Sequence, residues 1–183
     1  GNRDLTFTPN IQSKANNYYF VDYREINEFG AINIEGSIDD NDDNKGTKNH
    51  LFIEADINNP YGNLDLAIKT SNNDTYLRKN MINQLTVHES GVNFNKSTDN
   101  AYLNIFASSY KHLTKDDGNQ WEYVYPKVEY NLDNIKLDSL NGRLAINNNF
   151  SYQRNLDKSY ASLASTQINW LNRNIDQSFG LLF

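Results

Sequence analysis

The chain contains no cysteine, which excludes disulfides, thiolate metal sites and a cysteine nucleophile. It has no excess of positive charge: 17 Lys and Arg stand against 23 Asp and Glu, a formal net charge of −6. A general nucleic-acid binder needs basic residues to neutralise phosphates, so that class is disfavoured. No apolar run approaches the ~18 to 20 residues that a transmembrane helix requires. No basic-then-apolar leader opens the sequence, so a secretion signal is expected to have been removed or to lie outside it. Only three prolines and nine glycines are present, and no Pro/Gly/Ser-rich linker, tandem repeat or heptad pattern divides the chain. A length of 183 residues suits one domain or part of one.

Recognised chemical motifs are also missing. There is no phosphate-cradling glycine loop and no G-x-S-x-G elbow. His50, His88 and His112 stand far apart, without a second histidine or carboxylate at a ligand spacing, and no metal or cofactor is expected. The acidic run from Asp39 to Gly46 invites a calcium reading. Counted from Asn41, however, it places Lys45 at the fifth loop position and Phe52 at the twelfth, where an EF-hand needs an oxygen ligand and a glutamate. It reads as a solvated loop. Carboxylates are plentiful, but nothing singles out a catalytic pair. The chain is expected not to be an enzyme. Asn73, Asn95 and Asn149 begin N-x-S/T triplets, which arise by chance in a sequence this rich in asparagine.

What is present is alternation. Ile32, Ile34 and Ile38 oppose Asn33, Glu35 and Ser37; Leu51, Ile53, Ala55 and Ile57 oppose His50, Glu54 and Asp56, with Phe52 as an exception. Leu64, Leu66 and Ile68 oppose Asn63, Asp65 and Lys69; Leu103, Ile105 and Ala107 oppose Asn104 and Ser108. Val128, Tyr130 and Leu132 oppose Lys127, Glu129 and Asn131; Leu144, Ile146, Phe150 and Tyr152 oppose Arg143, Asn147, Asn149 and Ser151. A two-residue period marks strands with one apolar and one polar face. The pattern predicts eleven strands, over 3–12, 18–26, 30–38, 49–58, 62–71, 85–96, 100–111, 121–132, 136–152, 158–170 and 175–183. Short connections fall near Pro60–Asn63, Ser97–Asn100 and Asn131–Asn134, and long polar ones at 39–48, 71–84 and 112–120. Long strands joined by alternating short and long hairpins give an antiparallel meander of the outer-membrane type, the fold class expected being all-β and a partial transmembrane β-barrel wall. A mean hydropathy of −0.77 does not oppose this, because only alternate barrel residues face lipid. Aromatics at 13% argue against disorder.

Three features stand apart. Pro9 lies within the well-patterned strand Asp4–Gln12, although proline has no N–H for a ladder and belongs at an edge, bulge or strand end. In Asp74–Lys79, Tyr76 and Leu77 are apolar in a polar connection and suit a loop folded back on the wall, while Arg78 and Lys79 form a basic pair able to contact an anionic headgroup. Phe179, Leu181 and Phe183 share a face at the end of the sequence, a spacing similar to the C-terminal signature of outer-membrane proteins.

The order of motifs resembles the lipopolysaccharide-assembly family LptD, the organic-solvent-tolerance proteins. Asp4–Pro9 resembles its D-x-T-x-T-P strand, Ser13–Lys14 its basic turn, Tyr18–Arg24 its aromatic strand, and Gly30–Gly36 its G-x-x-x-x-E-G strand. Asn72–Lys79 resembles its D-x-x-Y-L-R-R element and Tyr123–Tyr130 its L-P-x-x-E-Y strand. The likeness covers about the first 130 residues; beyond them only the strand pattern is shared. The family's periplasmic domain, first barrel strand, later barrel half and cysteines have no counterpart here.

The resemblance implies that residues 1–183 are an internal piece of an outer-membrane barrel of a Gram-negative bacterium, with Phe183 a truncation point. It implies passage of lipopolysaccharide through a polar lumen and a lateral gate, with Pro9 in a weakly paired strand beside that gate. Asn33, Glu35, Glu54, Asp65, Lys69, Asn104, Lys127, Glu129, Asn147 and Asn149 would face the lumen, and apolar side chains would face lipid. The partners implied are lipopolysaccharide, outer-membrane lipid, an LptE-like lipoprotein plug and, through a periplasmic domain outside this sequence, an LptA-like bridge protein. The usual rule places long connections outside the cell, whereas counting from the family's periplasmic entry places 39–48 on the periplasmic side. Other readings of the strand pattern are a different porin or receptor barrel, or a soluble carbohydrate-binding β-sandwich.

Overall fold

The computed structural model describes residues 2–13, 17–40, 46–72, 74–82, 84–114, 120–137, 142–171, 175–176 and 181–182. Ten strands form one antiparallel meander: β1 (Asn2–Asn10), β2 (Asn17–Asn27), β3 (Gly30–Asp40), β4 (Asn49–Asn59), β5 (Gly62–Ser71), β6 (Val87–Ser97), β7 (Ala101–His112), β8 (Trp121–Leu137), β9 (Gly142–Arg154) and β10 (Tyr160–Leu171). Each pairs with its neighbours in sequence, and the sheet is not closed, so β1 and β10 are its edges. A short helix, α1 (Asp74–Lys79), lies between β5 and β6.

The alternation predicts this sheet closely, with two differences. Of the segment 175–183, the described residues do not join the sheet as an eleventh strand; two two-residue strands, β11 (Ile175–Asp176) and β12 (Leu181–Leu182), pair with each other. Phe179 and Phe183 lie outside the described residues, as do Asn41–Lys45 of the acidic run. The second difference is at Asn131–Asn134, which the sequence suggests as a turn. There β8 continues to Leu137 and its register with β9 shifts between Leu132 and Ile135. Asn134 has φ of 62°, a conformation that asparagine tolerates at bulges as well as at turns. Strand β9 therefore begins at Gly142.

Two of the short turns share a chemical pattern. In Asn27-Glu28-Phe29-Gly30 and Asn59-Pro60-Tyr61-Gly62, the asparagine Oδ1 accepts the N–H two residues on, at 2.9 Å and 2.8 Å. This is an Asx turn, in which the side chain mimics a backbone acceptor. The closing glycines have φ of 144° and 150°. A Cβ at Gly30 would lie 1.8 Å from the Asp56 carbonyl oxygen, and one at Gly62 would lie 2.6 Å from the Phe94 ring. Only glycine fits.

The register sorts the side chains into two faces, because paired residues of an antiparallel ladder point the same way. One face carries the row Tyr23, Ile34, Ile53, Ile68 and, further on, Leu66, Val92, Ala107 and then Ile105, Val128, Phe150. The other carries Arg24, Asn33, Glu54, Ala67 and then Asn104, Glu129, Asn149. No second layer of any size covers the apolar face among the described residues. Leu51 is 40% exposed, Ile105 40% and Phe150 43%. Among the described residues the buried apolar side chains are only Phe52, Ala55, Tyr76 and Leu77.

Candidate functional site: the polar face

All ten residues expected to line a lumen fall on the polar face. Asn33 pairs with Glu54, Asn104 with Glu129, and Glu129 with Asn149, so a polar row crosses adjacent strands. Lys69 follows Asp65 by two residue pairs on β5, and Lys127 and Asn147 continue the row on β8 and β9. Several of the side chains bond one another laterally, while the Oδ1 atoms of Asn33 and Asn131 have no partner among the described residues. Asn93 donates to Asp65 at 3.0 Å, Asn104 to Asn93 at 2.8 Å and Asn131 to Glu129 at 3.0 Å. Lys69 and Glu54 form an ion pair at 2.7 Å, and Arg24 and Asp22 another at 2.6 Å. Glu35 stands 3.4 Å from Nε2 of His50. Carboxylates outnumber cations on this face, and the amides supply both donors and acceptors, the pair of functions that sugar hydroxyls require.

One end of the polar face is dry. The connection between β5 and β6 folds back so that Tyr76 and Leu77 of α1, 2% and 1% exposed, pack on Phe52, with Ile82 and Leu113 alongside. This accounts for Phe52, the apolar residue that breaks the alternation of β4: it points to the polar side because α1 covers it there. The Ser37 hydroxyl bonds Nδ1 of His50 at 2.6 Å and the Tyr76 hydroxyl at 2.5 Å. His50 and Phe52 rings lie 4.7 Å apart and Phe52 and His88 5.2 Å apart. Neither ring nitrogen of His88 has a hydrogen-bond partner among the described residues, although the side chain is buried. Burial pushes the Tyr76 phenol above its usual range, against the opposing pull of its bond to Ser37. Sequence reasoning identified Tyr76 and Leu77 as the anchors but not Ser37, His50 or Phe52 as their seat. The exception at Phe52 was the available signal.

Arg78 and Lys79 occupy the last turn of α1 with exposed side chains. They do not join the polar row; they sit on the element that caps its end. Pro9 is the penultimate residue of β1, paired with Tyr19, and its strand is an edge of the sheet. Beside it Phe7 and Tyr19 stack at 6.3 Å. A second proline within a strand, Pro126, obeys the same rule in the interior: it lies where the register of β8 with β9 shifts between Val124 and Lys127.

Among the described residues there is no cluster of three or more histidines and carboxylates that could hold a metal ion, and no helix is long and apolar enough to cross a membrane. Compared with protein-family profiles, curated proteins and solved structures, the chain matches none.

Proposed function

We propose that the chain is a wall segment of an outer-membrane β-barrel that assembles lipopolysaccharide into the outer leaflet. The observation that carries the membrane half of this reading is the uncovered apolar face, opposed across a single sheet to a continuous polar one. The dimensions agree. Strands of 11 residues, such as β2, β3, β4 and β6, rise about 3.3 Å per residue to ~36 Å, and a barrel tilt of about 40° leaves ~28 Å, the order of a bilayer's hydrocarbon thickness. Aromatic residues mark both ends: Phe29 and Tyr61 sit exposed in the short turns, and Trp121, Tyr123 and Tyr160 lie at the opposite ends of their strands. Such girdles flank the apolar band of membrane barrels. A β-sandwich needs a second sheet packed on the first, and none of that size is present among the described residues.

The lipopolysaccharide half rests on the ordered resemblance of Asp4–Pro9, Tyr18–Arg24, Gly30–Gly36, Asn72–Lys79 and Tyr123–Tyr130 to the LptD family. On this reading the amide-rich face lines the passage for a hydrated sugar chain, no side chain acts as a catalyst, and an LptE-like plug and an LptA-like bridge act with the full protein. Depleting the full-length protein in its source bacterium is expected to stop newly made lipopolysaccharide from reaching a cell-impermeant label. Unchanged surface labelling would overturn the reading. Within it, Pro9 weakens a ladder by about one hydrogen bond, ~0.5–1.5 kcal/mol. Pro9→Ala in the full protein is expected to raise the yield of cross-links across the gate and slow transport; unchanged values of both would remove Pro9 from the gate.

The acidic balance of the polar face favours one second reading, a cation-selective porin. Single-channel recordings separate the two, since a porin conducts without any effect on lipopolysaccharide delivery.

A further inference from the structure

We infer that the apolar face holds one membrane lipid with a phosphate-bearing headgroup, its acyl chain in a groove between β5 and β8 and its phosphate at Arg154. The inference rests on the membrane-spanning reading and goes beyond it by naming a discrete lipid site on the wall.

The groove has a volume of about 390 Å³ and is walled by Leu66 and Ile68 on one side and Tyr123 and Tyr125 on the other, over Val92 and Ala107. It exists because the two strands between the walls carry small residues at this level: Ser90 on β6 and Ala107 and Ser109 on β7. This apolar depression is shallow and broadly open, so a hydrocarbon chain can lie in it along the sheet.

The groove runs into a row of aromatic and cationic side chains. Ring centroids follow at 6.0 Å from Trp121 to Tyr123, 5.7 Å to Tyr125, 6.0 Å to Tyr152 and 5.7 Å to Tyr160. The Arg154 guanidinium carbon lies 5.6 Å from the Tyr123 ring, and in register Arg154 stands between Tyr123 on β8 and Tyr160 on β10. Tyr123 thus belongs both to the groove wall and to the arginine's seat. Lys111 Nζ lies 5.8 Å from the Trp121 ring and donates to the Ser71 carbonyl at 3.0 Å, so its charge is tied down beside the row. Arg154 has no ion pair among the described residues. A guanidinium held on one aromatic face without a carboxylate keeps its planar donors for a phosphate, which it binds through two parallel bonds.

The level is right for a headgroup. These residues lie at the end of the sheet that bears the longer connections 113–120 and 155–159, and aromatic side chains with cations settle where hydrocarbon meets water. An aromatic girdle alone explains the rings. It does not explain a groove leading from them or an arginine with no carboxylate partner among the described residues.

The test uses the full-length protein with every tryptophan except Trp121 replaced by phenylalanine, in vesicles mixing phosphatidylglycerol with phosphatidylcholine, one of the two brominated at a time. Brominated phosphatidylglycerol is expected to quench Trp121 as if bound about five-fold more tightly than brominated phosphatidylcholine, the effect of one charge at a membrane surface. Arg154→Gln is expected to bring the ratio near one. Equal quenching in the parent protein, or a ratio that survives Arg154→Gln, overturns the site while leaving the membrane reading intact. Absence of quenching by either lipid overturns the membrane reading itself. If the tryptophan-reduced protein does not reconstitute, native mass spectrometry of the unmodified protein and Arg154→Gln with the same lipids decides the matter. A phosphatidylglycerol adduct retained in the first and lost in the second supports the site; equal retention overturns it.

Discussion

The two faces of the sheet are made by the same ten strands and share the same backbone ladder, yet they solve solvation in opposite ways. Ile34 and Asn33 are adjacent in sequence. Ile34 joins Ile53 and Ile68 in a row over which no second sheet packs among the described residues, whereas Asn33 joins a row in which Arg24 pairs with Asp22 and Glu54 with Lys69, and the Asn33 Oδ1 has no partner among the described residues. Only at the α1 end does the polar face bury apolar atoms, where Tyr76 and Leu77 close over Phe52. On the proposed reading the apolar face meets a solvent that is itself apolar, while the polar face carries the packed cluster found among the described residues.

The strongest way to break this contrast is to empty the packed cluster. Leu77→Ala is expected to cost about 2–5 kcal/mol, the range for buried leucine truncations, read by urea unfolding of the full protein in detergent. A loss under about 1 kcal/mol would mean that α1 is not seated on Phe52. Next, charge on the apolar face: Ile34→Arg is expected to cost ~2–4 kcal/mol in a bilayer near mid-depth, and Asn33→Arg at the next residue within about 0.5 kcal/mol. Equal costs for the two would erase the distinction between the faces. Tyr76→Phe sharpens the comparison further. It keeps the ring and removes only the hydroxyl bonded to Ser37, so a loss of about 0.5–1.5 kcal/mol is expected.

The smallest effect concerns the turn at 155–159. There the Asp157 carboxylate accepts the Ser159 hydroxyl at 2.5 Å and its N–H at 2.9 Å, and these bonds hold its pKa below the usual carboxylate range. A lowered folded-state pKa gives a contribution that is present above the unfolded value and is lost as pH falls through the folded one. Amide exchange in this turn, corrected for intrinsic rates, is expected to accelerate over that acidic window. Asp157→Asn should show a smaller pH response, and an unchanged response would exclude the carboxylate as its source.

The faces were legible in the sequence because a strand's period of two repeats at every pair, so that Leu51, Ile53, Ala55 and Ile57 announce their side without any knowledge of neighbours. The polar row was legible for the same reason. What escaped detection depends on contacts between distant residues. Helix α1 has six residues, too few for a 3.6-residue period to register, and it is held by burial on Phe52 rather than by its own propensity. The Asn131–Asn134 turn was misplaced because asparagine with positive φ serves a bulge as readily as a hairpin. The groove depends on small residues from β6 and β7 standing side by side, Ser90 with Ser109 and Val92 with Ala107. That register cannot be read from either strand alone.

The rims of the sheet set a condition on how the protein is made. Along β1 and β10 one row of N–H and C=O groups has no mate among the ten strands. Inside hydrocarbon each such group costs several kcal/mol, so insertion of this piece by itself would be opposed by a sum far larger than a domain's net stability. On the proposed membrane reading, both rims need a partner strand before the sheet can sit in hydrocarbon.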